Sequence, residues 1–123
     1  MGKIVLYIED NPDNVLLVQR ALESRGYKFV WAPNGSTGLS KGESEKPDLI
    51  LLDINLPDID GYEIARRLRA SEAMRKIPIV AITANALKGD ADKALAAGCD
   101  VYISKPINLR ELWMQLAALV PSN

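Results

Sequence analysis

The chain has no histidine and a single cysteine, and these two shortages narrow its chemistry before any motif is read. Without imidazole there is no histidine base, and Cys99 has no partner thiol for an internal disulfide or a zinc site. No apolar run approaches the roughly 20 residues of a membrane-spanning helix, and no secretory leader pattern is seen. A cytoplasmic location with no membrane partner is therefore expected. An excess of charge is also missing: 15 basic side chains face 16 acidic ones, for a net charge of -1, which disfavours direct nucleic-acid binding. What is present is a composition close to the globular average, 48% hydrophobic and 25% charged, over 123 residues. That length fits one domain, residues 1–123, able to bury about two thirds of its unfolded surface. Any site must be built from carboxylates, hydroxyls, amides and lysine.

The most informative stretch is Pro47-Asp48-Leu49-Ile50-Leu51-Leu52-Asp53-Ile54-Asn55-Leu56-Pro57. An apolar run bounded by prolines and too short for an ordinary helix reads as a strand buried on both faces of a parallel sheet. Asp53 ends it, where open α/β sheets bind their ligands. Lys3 to Ile8 is a second such strand, ended by Glu9 and Asp10. Asn11 then caps a helix with Pro12 in its first turn, and Gly26 closes it. Its apolar positions, Val15, Leu16, Leu17, Val18, Ala21 and Leu22, form a stripe wider than one core face requires. Lys28 to Ala32 is a short strand and Pro33-Asn34-Gly35 a turn. Ser36 to Glu45 is the weakest helix, because Gly38 and Gly42 each cost up to about 1 kcal/mol relative to alanine; fraying is expected there.

Tyr62 to Ala70 is amphipathic, and Ile77 to Thr83 is a fourth strand ending on a hydroxyl. Ala84 to Leu87 lead into an alanine-rich helix that buries little and stops at Gly98. Val101 to Ser104 is the fifth strand, followed by Lys105-Pro106. Asn108 and Glu111 make a capping-box-like start to a helix carrying Leu109, Leu112, Leu116 and Leu119. The five βα units predict a doubly wound five-stranded parallel sheet of flavodoxin-like order 2-1-3-4-5, with helices on both faces. Cys99, Trp31 and Trp113 read as packing residues.

In that order the two most apolar strands are neighbours, so Glu9, Asp10 and Asp53 share one sheet edge. Three carboxylates at close range need a counter-charge. The available ligands, carboxylates plus a loop carbonyl such as that of Asn55, suit Mg²⁺, which keeps part of its water shell. Lys105 adds an ammonium and Thr83 a hydroxyl, and the whole suits a transferring phosphoryl group.

These residues, Glu9-Asp10, Asp53, Thr83-Ala84 and Tyr102-Ile103-Ser104-Lys105-Pro106, closely resemble the motifs of a response-regulator receiver domain of two-component signalling, in order and along the whole chain. The resemblance implies that Asp53 takes a phosphoryl group from a phosphohistidine of a histidine kinase or histidine phosphotransfer protein. It implies Mg²⁺ held by Asp10, Asp53 and the Asn55 carbonyl, with Glu9 reaching it through water. Lys105 is then expected to pair with the acyl phosphate and Thr83 to hydrogen-bond it. Tyr102 turns inward, reshaping the surface of the fourth helix, fifth strand and fifth helix for a downstream protein partner. The Lys105-Pro106 bond is expected to be cis, and Asn55 and Asn85 to influence the lifetime of the phosphate. A monomer or a weak phosphorylation-dependent dimer is expected.

Taken singly, each residue has a plainer reading. Glu9-Asp10 suits an acidic turn ahead of a helix, Asp53 a strand-end cap, and Tyr102 a half-buried strand aromatic. Two other functions suit the same topology. An aspartyl-phosphate phosphatase of the haloacid-dehalogenase kind needs a second aspartate two residues after the nucleophile, where this chain has Asn55, and a cap domain that it lacks. A flavin carrier needs a phosphate-cradling loop after the first strand, where Glu9 and Asp10 repel phosphate. Within the receiver reading, the chain is either a lone switch or part of a hybrid kinase or multidomain regulator.

Overall fold

Each apolar run becomes a parallel strand, and each helical periodicity becomes the crossing that follows it. The computed structural model describes residues 2–84 and 90–121. In chain order the elements are β1 (Ile4–Ile8), α1 (Pro12–Ser24), β2 (Lys28–Ala32), α2 (Gly35–Glu45), β3 (Leu49–Asp53), α3 (Gly61–Ala70), β4 (Ile79–Thr83), α4 (Asp90–Ala97), β5 (Val101–Ser104) and α5 (Leu109–Leu119). The sheet order is β2-β1-β3-β4-β5, all neighbours parallel, so the expected doubly wound arrangement is the one adopted. Asn85, the lead-in to the fourth helix and Ser122-Asn123 lie outside the described residues.

Alternate strand residues serve opposite layers. Val5, Tyr7, Leu49, Leu51, Val80 and Ile82 pack with Val15, Val18 and Leu22 of α1 and Leu112 and Leu116 of α5. Leu6, Ile8, Ile50, Leu52, Ile79 and Ala81 pack with Ile64, Ala65 and Leu68 of α3 and Ala94 and Ala97 of α4, with Leu39 of α2 against them. Each buried Leu or Ile contributes roughly 1.5–3 kcal/mol of transfer free energy, so these two layers drive the fold. The expected caps form: the Asn11 side chain accepts from Asp13 N at 2.9 Å, and that of Asn108 from Glu111 N at 3.1 Å. Gly26 takes the left-handed conformation, φ 86°, just past α1.

Three expectations need correction. The helix of residues 36 to 45, expected to fray, is continuous from Gly35 to Glu45, and its glycines are packing residues. A methyl group at Gly38 would fall 2.6 Å from Cδ1 of Ile8 on β1, so the missing side chain is what lets α2 approach the sheet. The fourth strand begins at Ile79, because the turns after α3 run through Lys76 and Pro78 has no N–H to donate. Trp31 is 37% exposed at the end of β2, where its indole serves a polar contact described below. Trp113, by contrast, packs against the α1/α5 layer, with the Arg25 guanidinium 4.3 Å over its ring. α4 buries Ala94 and Ala97 and leaves Leu95 52% exposed, as a helix that buries little should.

Candidate functional site

The chain crosses from β1 to β2 on one side and then returns from β2 to β3 on the other side of β1, which puts the C-terminal ends of β1 and β3 side by side at the switch point of the sheet. One carboxylate oxygen each from Glu9, Asp10 and Asp53 lies within 4.8 Å of the others. Glu9 and Asp53 are buried and Asp10 is exposed, so the cluster opens to solvent on the Asp10 side. Lys105, next after β5, donates from Nζ to Oδ2 of Asp53 at 3.1 Å and stands 3.5 Å from Oε1 of Glu9. Burial works against the Lys105 ammonium, but the hydrogen bond and charge of Asp53, with Glu9 behind them, outweigh it and raise its pKa. The lysine is a fixed cation at the strand edge.

The exposed Asn55 donates its backbone N–H to Oδ1 of Asp53 at 3.0 Å, so both oxygens of that carboxylate are oriented. Thr83 is buried at the end of β4, one residue beyond Ile82, the register partner of Asp53; its carbonyl accepts from Lys105 N at 2.8 Å. Tyr102 stands opposite Ala81 and packs half-buried against the α3/α4 layer, two residues down β5 from the strand end. The Lys105-Pro106 peptide is cis. The fold thus gathers Glu9, Asp10, Asp53 and Lys105 and sets Thr83 at the same edge, with Tyr102 back along its strand.

Three further side chains attend the cluster without any motif to announce them. The Tyr7 hydroxyl donates to Oε1 of Glu9 at 2.9 Å, and Nδ2 of Asn14 approaches the same oxygen at 3.4 Å. Trp31 donates its indole N–H to the Glu9 carbonyl at 2.7 Å. Burial, reinforced by the charge and hydrogen bond of Glu9, pushes the Tyr7 phenol up, so it remains a donor. A signal for Tyr7 was available in the period of two: a phenol in an otherwise aliphatic strand, two residues before an acid, faces that acid and needs an acceptor.

Three carboxylates against one ammonium leave an excess of formal negative charge in a largely buried place, and every carboxylate ligand is a hard oxygen donor. That set fits a hard divalent cation such as Mg²⁺, with the open Asp10 side left for water.

The sequence pattern of the response regulator receiver domain matches residues 5–117. The polar-differentiation response regulator DivK of Brucella anthropi is 40% identical over 109 residues, 89% of each chain. The receiver domain of a sensor histidine kinase of Pseudomonas aeruginosa, whose structure has a magnesium ion coordinated in the active site cleft, is 38% identical. It superimposes with a TM-score of 0.90, covering 99% of this chain and 100% of that one. A two-component response regulator of Clostridium difficile, 31% identical, does so with a TM-score of 0.90 over 96% and 95%. With such likeness along nearly its whole length, the chain belongs to the response-regulator receiver domains, the switch modules of two-component signalling.

Proposed function

We propose that residues 1–123 act as one receiver domain in which Asp53 accepts a phosphoryl group from the phosphohistidine of a histidine kinase or histidine phosphotransfer protein. In that transfer a carboxylate oxygen of Asp53 forms a bond to phosphorus as the P–N bond breaks, and the electron pair returns to the imidazole nitrogen. The observation that carries this reading is the convergence of the Glu9, Asp10 and Asp53 carboxylates within 4.8 Å, with the Lys105 ammonium 3.1 Å from Asp53. Asp10, Asp53 and the Asn55 carbonyl would hold Mg²⁺, and Glu9 would reach it through water. When bound, the ion neutralises the oxygens of the transferring group. Lys105 pairs with the phosphate formed and Thr83 donates its hydroxyl to it. The added charge, about -1.5 to -2, is answered by those groups.

Tyr102, already packed against the α3/α4 layer, reports that closure to the surface of α4, β5 and α5, where a downstream protein binds. On this reading the chain acts on its own Asp53 and on no separate substrate. Leu16 and Leu17, 48% and 44% exposed on α1, support docking of the phosphodonor's helices there.

Incubation with acetyl phosphate and Mg²⁺, read by intact-protein mass, tests the reading. A single added phosphoryl group is expected, absent in Asp53→Asn and without Mg²⁺. Labelling that survives Asp53→Asn, or steady phosphate release at an enzyme's turnover, sinks it.

A further inference from the structure

We infer that Tyr7 is a positioning residue of the metal site, its phenol holding the Glu9 carboxylate where it meets the metal's water; this rests on the Mg²⁺ reading above. Tyr7 sits in β1 with both flanks closed. Its register partners are Trp31 on β2 and Leu51 on β3, its ring meets Phe29 edge-on at 6.4 Å, and it is 0% exposed. Strand alternation puts Tyr7 and Glu9 on the same face, so the hydroxyl is delivered to the carboxylate by the sheet itself. A hydroxyl so enclosed is costly when unsatisfied, and here it is satisfied by a group of the site.

Glu9 is likewise 0% exposed and is approached by four donors. They are the Tyr7 hydroxyl at 2.9 Å, the Asn11 N–H at 3.2 Å, Nδ2 of Asn14 at 3.4 Å and Nζ of Lys105 at 3.5 Å. The Tyr7 contact is the shortest, and it alone comes from a buried strand residue with only two side-chain torsions. Lys105 has another partner in Asp53, and Asn14 stands at the edge of hydrogen-bond range. When the ammonium turns to a phosphate, Tyr7 and the Asn11 N–H remain to fix Glu9. Outer groups of this kind set metal affinity by orienting the ligand they touch.

The test is calorimetric titration of MgCl₂ into the unphosphorylated wild-type chain, Tyr7→Phe, Glu9→Gln and the double variant, with thermal unfolding of each in the absence of metal. Tyr7→Phe keeps the ring and its packing and is expected to weaken Mg²⁺ binding about tenfold, at the low end for an outer-shell partner because Glu9 acts through water. In the Glu9→Gln background the same change should matter less than about twofold, since the partner it orients is gone. Phe29→Leu, which loosens the ring without touching the hydroxyl, should leave the affinity unchanged and so separates packing from positioning. Undiminished binding by Tyr7→Phe, equal loss in both backgrounds, or the same loss in Phe29→Leu overturns the role of Tyr7. Failure of the wild-type chain to bind Mg²⁺ overturns the metal reading beneath it, a result that no variant is needed to see.

Discussion

Asp58, in the loop between β3 and α3, ties the site loop to α2. Its Oδ1 accepts from Gly35 N at 2.8 Å, and its Oδ2 accepts from Ser36 N at 3.0 Å and the Ser36 hydroxyl at 3.1 Å. The Gly35 hydrogen bond leads in holding the carboxyl down at about 2, below its ordinary 3.8. The folded chain therefore takes up this proton less readily than the unfolded one. The stabilisation is whole above the ordinary value and is lost as pH falls through about 2. Asp58 is exposed, so solvent screening keeps the effect small, within about 1 kcal/mol. Urea unfolding at a series of pH values should show wild type and Asp58→Asn converging as the solution is acidified, with the variant the weaker near neutrality. Parallel curves would mean that the carboxylate charge contributes nothing to the clasp.

At the scale of the element, α2 shows helix propensity and tertiary packing pulling in opposite directions. On an exposed helix, Gly→Ala is favourable by up to about 1 kcal/mol. A methyl at Gly38, however, would meet three carbons of Ile8, at 2.6, 2.9 and 3.1 Å, and that side chain is locked in β1. At Gly42 the nearest atom is the Met74 sulfur at 2.7 Å, the pliable end of a long side chain. Gly38→Ala is thus expected to lower stability by about 1–3 kcal/mol as overpacking does, and Gly42→Ala to be near neutral. Equilibrium unfolding of the two variants checks the ordering, and a stabilised Gly38→Ala would contradict the close approach.

For the whole molecule, both helix layers share one sheet, and the carboxylate cluster proposed to hold Mg²⁺ lies at the ends of β1 and β3, with β4 and β5 beside them. Ligand binding there therefore stabilises the whole fold. At 100 times its dissociation constant, Mg²⁺ is expected to add about 2.7 kcal/mol. A rise in the unfolding midpoint with MgCl₂, lost in Asp10→Asn and Asp53→Asn, is the expected result; an unmoved midpoint in the wild-type chain counts against the site. A complete switch from 1:99 to 99:1 needs about 5.5 kcal/mol of differential stabilisation, within reach of a few hydrogen bonds to ionised groups and the burial of one tyrosine.

Much of this was legible in the chain because it is local. Apolar runs that end on Glu9-Asp10, Asp53 and Thr83, and Lys105-Pro106 after the last of them, state their strand ends in consecutive residues, and alternation with helices implies the sheet order. Asn11 and Asn108 declare their caps in the same way. The meaning of the α2 glycines, the polar use of Trp31 and the clasp of Asp58 depend on partners 22 to 32 positions away, and no short window of sequence contains both members. Tyr7 stands between the two cases. Its spacing from Glu9 is local, but only the closed sheet removes water from the phenol and leaves the carboxylate as its acceptor. Sequence determined which groups reach the edge of the sheet; tertiary packing decided which of them are dry and held in place, because burial is a property of the assembled layers.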